Sequence, residues 1–162
     1  MQTRTLDPTD AESIAKLWIA GATESAATDS AFTPTIGQID YARSVRDDLA
    51  DKSMFGWGMF SQSNGTLLGY LTARASTPSA EFVQSKLLFL LDLDVDVKAR
   101  RMGIASKLVQ CARTHAAHFG FASVEVGWLS QDPVASSFWR SQGFVPYLSK
   151  ARVQIKAAEN DA

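Results

Sequence analysis

The sequence is poor in cysteine: Cys111 is the only one among 162 residues, so neither an internal disulfide nor a cysteine-rich metal site can form. An excess of charge is missing too. The formal net charge is -1, which gives no general pull toward nucleic acid or an anionic membrane. Long apolar runs are absent as well, the most strongly apolar stretch being residues 87–91, far short of the roughly 20 residues that span a bilayer. Residues 1–10 are polar and lack the apolar core of a secretory signal. What remains is ordinary for a globular chain, with 46% apolar and 20% charged residues. No repeat, low-complexity tract or linker interrupts it. The expectation is a soluble, cytoplasmic protein with one domain over residues 1–162.

Local patterns predict a mixed α/β order. Residues 2–6 alternate weakly and suit a short edge strand. Asp7-Pro8 reads as a helix start, because Asp7 can accept from free amides and Pro8 loses nothing at the first helical position. Ile14, Leu17 and Trp18 give that helix its apolar stripe. Residues 21–37 read as a mobile connection or a short helix, and 39–51 as a further helix. The period then changes: residues 54–61 and 67–75 flank Asn64-Gly65, a two-residue hairpin signal. A polar loop is expected over 77–84. Residues 86–97 predict a strand with Leu91, Leu93, Val95 and Val97 on one face and Asp92, Asp94 and Asp96 on the other. Then follow a helix over 103–119, a strand over 121–129, a helix over 133–142 and a final strand pair over 144–156.

The strand over 86–97 leads through Lys98-Ala99-Arg100-Arg101-Met102-Gly103-Ile104-Ala105 directly into a helix. The first amides of a helix have no internal partner and carry the positive end of its dipole, so an anion is favoured there. Gly103 permits close approach, Ala105 does not obstruct it, and Arg100 and Arg101 add charge. That combination suits a pyrophosphate. A tight turn flanked by solvated arginines is the competing reading of the loop by itself. The Gly-Lys-Ser/Thr ending of a nucleoside-triphosphate loop is absent, as are the three glycines of a dinucleotide fingerprint.

The run Leu93-x-Val95-x-Val97-x-x-Arg100-x-x-Gly103-Ile104-Ala105 resembles motif A of the GNAT superfamily of acyl-CoA-dependent N-acyltransferases. Downstream, Asp132-x-x-Ala135-x-x-Phe138-Trp139-x-x-x-Gly143-Phe144 resembles the next motif of that superfamily, at the right separation. The resemblance implies a central mixed sheet, partly splayed, with helices on both faces. It implies acetyl-CoA as co-substrate and a primary amine, on a small molecule or a peptide, as acceptor. Pantetheine would lie along the backbone of Leu93, Val95 and Val97, and pyrophosphate on the amides of Arg100, Arg101, Met102, Gly103, Ile104 and Ala105, with Asp132, Ser136 and Trp139 as further cofactor contacts. Phe32 and Tyr41 would line the acceptor pocket, and homodimers are frequent in the family.

Two positions depart from the pattern. Trp139 stands where a tyrosine acid is usual, and an indole is no acid at neutral pH. Asp132 replaces the usual asparagine, and Asp132-Pro133 is also a good helix cap. Tyr147 is the remaining candidate acid. Asp92 is the candidate base, with Asp94 on its face to raise its proton affinity or to hold the substrate's cation. The same aspartates could equally line a wet face. No metal site is expected, because three alternate aspartates lack nearby histidines. His115 and His118 read as half-buried and solvated, Cys111 as core, and Trp18, Trp57 and Trp128 as packing residues. The sequence therefore predicts an N-acetyltransferase acting by direct amine attack. The alternative is an inactive acyl-CoA sensor or interaction module of the same fold.

Overall fold

The computed structural model describes residues 1–77 and 85–154. Five strands form one mixed sheet in the order β1 (Gln2–Thr5), β2 (Met54–Phe60), β3 (Leu67–Ser76), β4 (Leu87–Val95) and β5 (Ser123–Val126). The first three pairings are antiparallel, and β4 pairs β5 in parallel through the crossover helix α3 (Ile104–His118). Helices α1 (Ala11–Thr28) and α2 (Tyr41–Ala50) pack on one face. Helix α3 and α4 (Pro133–Ser141) pack on the other. The expected mixed α/β architecture with helices on both faces is thus observed. No helix among the described residues is long and apolar enough to cross a membrane.

The core follows from strand alternation. Leu71, Ala73, Leu88 and Leu90 point toward α3, where Leu108, Val109 and Ala112 meet them fully buried. Each of these leucines and Val109 contributes roughly 1.5–3 kcal/mol by leaving water. The opposite face is more polar: Tyr70 and Thr72 lie there beneath α1, beside the smaller cluster of Ile14 and Leu67.

Several boundaries differ from expectation. Helix α1 runs on through Gly21 to Thr28, where a mobile connection or a short helix is expected from the sequence. The hairpin loop is longer than two residues: Ser61 N–H donates to Thr66 O (2.9 Å), with Gly65 at φ 70°. Strand β4 ends at Val95, and Val97 lies exposed on a 3-10 turn, Val97–Ala99. Strand β5 has four residues rather than nine. The final strand pair is not formed over 145–154: Pro146 lacks a donor for a ladder, and Val145, Tyr147, Leu148 and Val153 face solvent. The expected polar loop lies, from residue 78 onward, outside the described residues, as do residues 155–156 of the expected strand pair.

Candidate active site

Strand β4 carries the site, and a bulge shapes it. Thr72 pairs with Asp92 but Ala73 pairs with Leu90, so Leu91 is the extra residue. The bulge moves Leu90 and Leu93 onto the α3 face and Asp92 and Asp94 onto the α1 face. In an antiparallel pair, alternate residues send both backbone groups to the same neighbour. Asp96 N–H donates to Leu68 O of β3 (2.9 Å), and the register is unbroken back to Asp92. The backbone groups of Asp92 and Asp94 therefore face β3, while those of Leu93 and Val95 face the β5 side. There β5 pairs only as far as Leu90 with Val126, so the edge of β4 beyond that point is open toward a wedge.

The loop after β4 is built by backbone geometry. Asp96 is engaged locally: its carboxylate caps the 3-10 turn by accepting from Lys98 N–H (2.8 Å). Arg101 then takes φ 63°, uncommon for a residue with a side chain, and Gly103 takes φ 78°. Gly103 is the N-cap of α3 and supplies no side-chain acceptor, leaving the first amides of the helix for a ligand. A Cβ at Gly103 would meet nothing within 4 Å, so the space in front of the loop is open. Met102 is exposed, whereas Ile104 buries its side chain in the core and offers only its amide. Arg100 is differently engaged: its NH2 nitrogen donates to both Glu24 oxygens of α1 (2.9 Å each), and its Nε donates to Val95 O (3.2 Å).

On the α1 face the two carboxylates are fixed by separate partners. Trp18 Nε1 donates to Asp92 Oδ1 (3.2 Å) and Thr72 Oγ1 to Asp92 Oδ2 (3.1 Å). Tyr70 OH donates to Asp94 Oδ2 (2.8 Å). Asp94 Oδ1 lies so close beneath α1 that a Cβ at Gly21 would stand 1.9 Å from it. Burial raises the proton affinity of both acids. Asp94 is pushed up to about 6, with the charge of Asp92 adding to burial and the Tyr70 hydroxyl opposing it. Burial also holds the Tyr70 phenol well above its usual range, so that hydroxyl remains a donor.

The other sequence candidates fall in two groups. Tyr41 stands against Trp18, the donor to Asp92: its ring packs 4.5 Å from the indole, and its hydroxyl accepts from Thr35 N–H (2.9 Å). Phe32 stands about half-exposed on the 3-10 turn after α1. Asp132 caps α4, accepting from Val134 N–H (2.8 Å) and Ala135 N–H (3.0 Å), and Ser136 Oγ accepts from Trp128 Nε1 (3.0 Å). Trp139 is buried in the core, edge-on to Phe138 and Phe144. Tyr147 is exposed and donates to Glu125 Oε2 (2.6 Å); that carboxylate raises the phenol's proton affinity, which works against an acid role.

Sequence reasoning missed Trp18, Gly21, Glu24, Tyr70 and Thr72. The last two carried a signal, polar side chains at alternate positions within the apolar run Leu67–Ala73 of β3.

Residues 23–144 match the family model described as Acetyltransferase (GNAT) family. No curated protein matches the chain. Among solved structures, a mutant of the BH1408 protein from Bacillus halodurans is similar with a TM-score of 0.87 and 14% identity, over 96% of this chain and 100% of that one. A ribosomal-protein-alanine N-acetyltransferase from Brucella melitensis biovar Abortus 2308 gives 0.71 and 13%, over 96% and 100%. The aminoglycoside acetyltransferase meta-AAC0020 from an uncultured soil metagenomic sample gives 0.70 and 19%, over 96% of each chain. At these identities the likeness is one of fold.

Proposed function

The chain belongs to the GNAT acetyltransferase family, and on that premise we propose that it transfers an acetyl group from acetyl-CoA to a primary amine. The observation that carries this reading is a single strand, β4, with an open backbone edge on one side and two half-buried carboxylates on one face. The amine nitrogen attacks the thioester carbonyl, the carbon–sulfur bond breaks, and the amine proton passes to a carboxylate.

Each part of the site has a matching task. The backbone of Leu93 and Val95 would hold the pantetheine arm, and an amide of that edge would donate to the thioester oxygen as charge develops on it. The amides from Arg101 to Ala105 would hold the pyrophosphate at the start of α3, aided by the Arg101 charge. Arg100, already bound to Glu24 and Val95 O, holds the end of β4 against α1. Asp92 and Asp94 act as a coupled pair on the incoming ammonium. We assign proton acceptance to Asp94 rather than to Asp92, the base expected from the sequence, because its affinity of about 6 suits a base near neutrality, and we assign orientation of the cation to Asp92. Tyr41 and Trp18 would form the adjacent aromatic wall, with Phe32 at its outer rim. Asp132, Ser136 and Trp139 support the fold of α4 through its cap, the bond from Trp128 and aromatic packing. Departure of the thiolate then requires no acid from Tyr147.

The test is thiol release from acetyl-CoA in the presence of polyamines, aminoglycosides, amino acids and peptides with free N-termini. Release with one amine class, and none without amine, is expected. Tight acetyl-CoA binding with no release for any amine would favour an acyl-CoA sensor instead.

A further inference from the structure

Strands β3 and β4 place two hydroxyl–carboxylate pairs side by side on the α1 face. Tyr70 stands opposite Asp94 and Thr72 opposite Asp92 in the ladder, and such cross-strand neighbours interact directly. The two acids are nevertheless held differently. Asp92 accepts at both oxygens, from Trp18 Nε1 (3.2 Å) and from Thr72 Oγ1 (3.1 Å). Asp94 accepts at Oδ2 alone, from Tyr70 OH (2.8 Å), and its Oδ1 takes no donor among the described residues. That oxygen is not sealed from solvent, and it lies against Gly21, whose lack of a side chain leaves it room.

The hydroxyl that holds Asp94 has little freedom of its own. Tyr70 is 1% exposed and packs with Ile14 and Leu67, with Leu17 and Trp18 of α1 at the margin. Leaving a buried hydroxyl unpaired is costly, so the fixed phenol fixes the carboxylate and leaves Oδ1 as its free oxygen. A donor to a carboxylate also favours the charged form. The other charged groups acting on Asp94 are Asp92 on its own strand, Glu24 of α1 and Arg100 of the loop after β4. From α2, Asp48 acts on Asp92. All four remain when Tyr70 loses only its hydroxyl.

We propose that Tyr70 is a positioning residue for proton transfer: by binding Oδ2 of Asp94 it presents Oδ1 as the oxygen that takes the proton of the incoming amine, while Asp92, occupied at both oxygens, only orients the cation. This role rests on the acyl-transfer reading of the same site. One N–H bond of the ammonium breaks as the Asp94 Oδ1–H bond forms, and the nitrogen lone pair so released attacks the thioester carbonyl carbon. The carbon–sulfur pair leaves on the thiolate, which takes the second surplus proton of the nitrogen and departs as free thiol.

The test has one readout without turnover and one with it. In carbon-13 NMR of the aspartate carboxyls, the resonance missing from Asp94→Asn identifies Asp94. It should titrate near 6 in the wild type and about one pH unit higher in Tyr70→Phe. The Tyr70 Cζ resonance of the wild type should step at the same pH, although the phenol itself stays protonated there; this reading needs no variant to fold. In kinetics, Tyr70→Phe should lose kcat/KM severalfold near pH 6 and recover it by about pH 9, because only the ionisation of the base has moved. A purely structural role would lower the rate equally at every pH. Thr72→Val, which deletes a donor to Asp92, should not move the acidic limb upward. A wild type that releases no thiol with any amine would sink the acyl-transfer reading and this role with it. In an active wild type, a Tyr70 Cζ resonance without a step, an unmoved Asp94 carboxyl in folded Tyr70→Phe, a loss uniform in pH, or an equal upward shift in Thr72→Val would each overturn the role of Tyr70 alone.

Discussion

The two sides of β4 are made of different material. Toward β5 the strand offers main-chain groups, and the loop that follows continues in the same manner, with amides presented by Arg101 at φ 63° and Gly103 at φ 78°. Toward α1 it offers side chains, Asp92 and Asp94, each held by donors from other elements. A backbone site tolerates exchange of side chains and fails when bulk or charge intrudes. A side-chain site fails on a change of one atom. The first suits a cofactor shared by a whole family, and the second suits an acceptor that differs from one member to the next.

The largest effect that would sharpen this contrast is expected from Asp94→Asn. The amide still accepts from Tyr70 OH but cannot take a proton. Turnover should fall by roughly 10²–10⁴-fold, the range for loss of general-base catalysis, with acetyl-CoA affinity unchanged. In the wild type, kcat/KM should rise with pH through about 6, and that acidic limb should disappear in the variant. Stability should move the other way. Asp94 binds its proton more tightly folded than unfolded, so its favourable contribution is present below pH 4 and lost as pH rises through about 6. Asn removes the buried charge, and the variant should melt roughly 2–4 °C higher at neutral pH.

Gly103→Asp probes the opposite side. Aspartate is among the side chains tolerated at positive φ, so the protein should fold, while its charge sits where an anion would approach. Acetyl-CoA affinity should fall by about 100-fold or more, measured by calorimetry. Unchanged affinity would break the contrast.

Gly21→Ala should have a smaller effect that again confines itself to the acid side. Alanine favours a helix interior by about 1 kcal/mol, but its Cβ would stand 1.9 Å from Asp94 Oδ1 and must displace it. Turnover should drop about tenfold with cofactor affinity retained. Glu24→Gln is expected to change least. Its pair with Arg100 is largely exposed, with side chains 43% and 55% accessible, and exposed pairs contribute about 0–1 kcal/mol. A large loss of acetyl-CoA affinity there would mean that Arg100 must be held by α1 for the loop to work.

The parts of the site that were legible in the sequence are those carried by consecutive residues. Leu93 through Ala105 encode a strand end, a turn and a helix start by local rules alone, and Asp132-Pro133 encodes its own cap. The partners of the acids were not legible, because chain separation hides them: Trp18 is 74 residues from Asp92, and Tyr70 is 24 from Asp94. The bulge at Leu91 was equally hidden, since alternation continues through Asp96 in the sequence while the backbone slips by one residue. The terminal strand pair failed for the reverse reason. Residues 145–154 have strand-like side chains, but a strand needs a ladder partner, and Pro146 cannot donate to one.

The most direct test of the account is calorimetric titration of the folded chain with acetyl-CoA. The prediction is saturable binding at micromolar concentration or tighter, near one equivalent per chain, abolished in Gly103→Asp and retained in Asp94→Asn. Absence of heat at two temperatures, with folding confirmed, would contradict it and leave the loop after β4 as an inherited turn without a ligand.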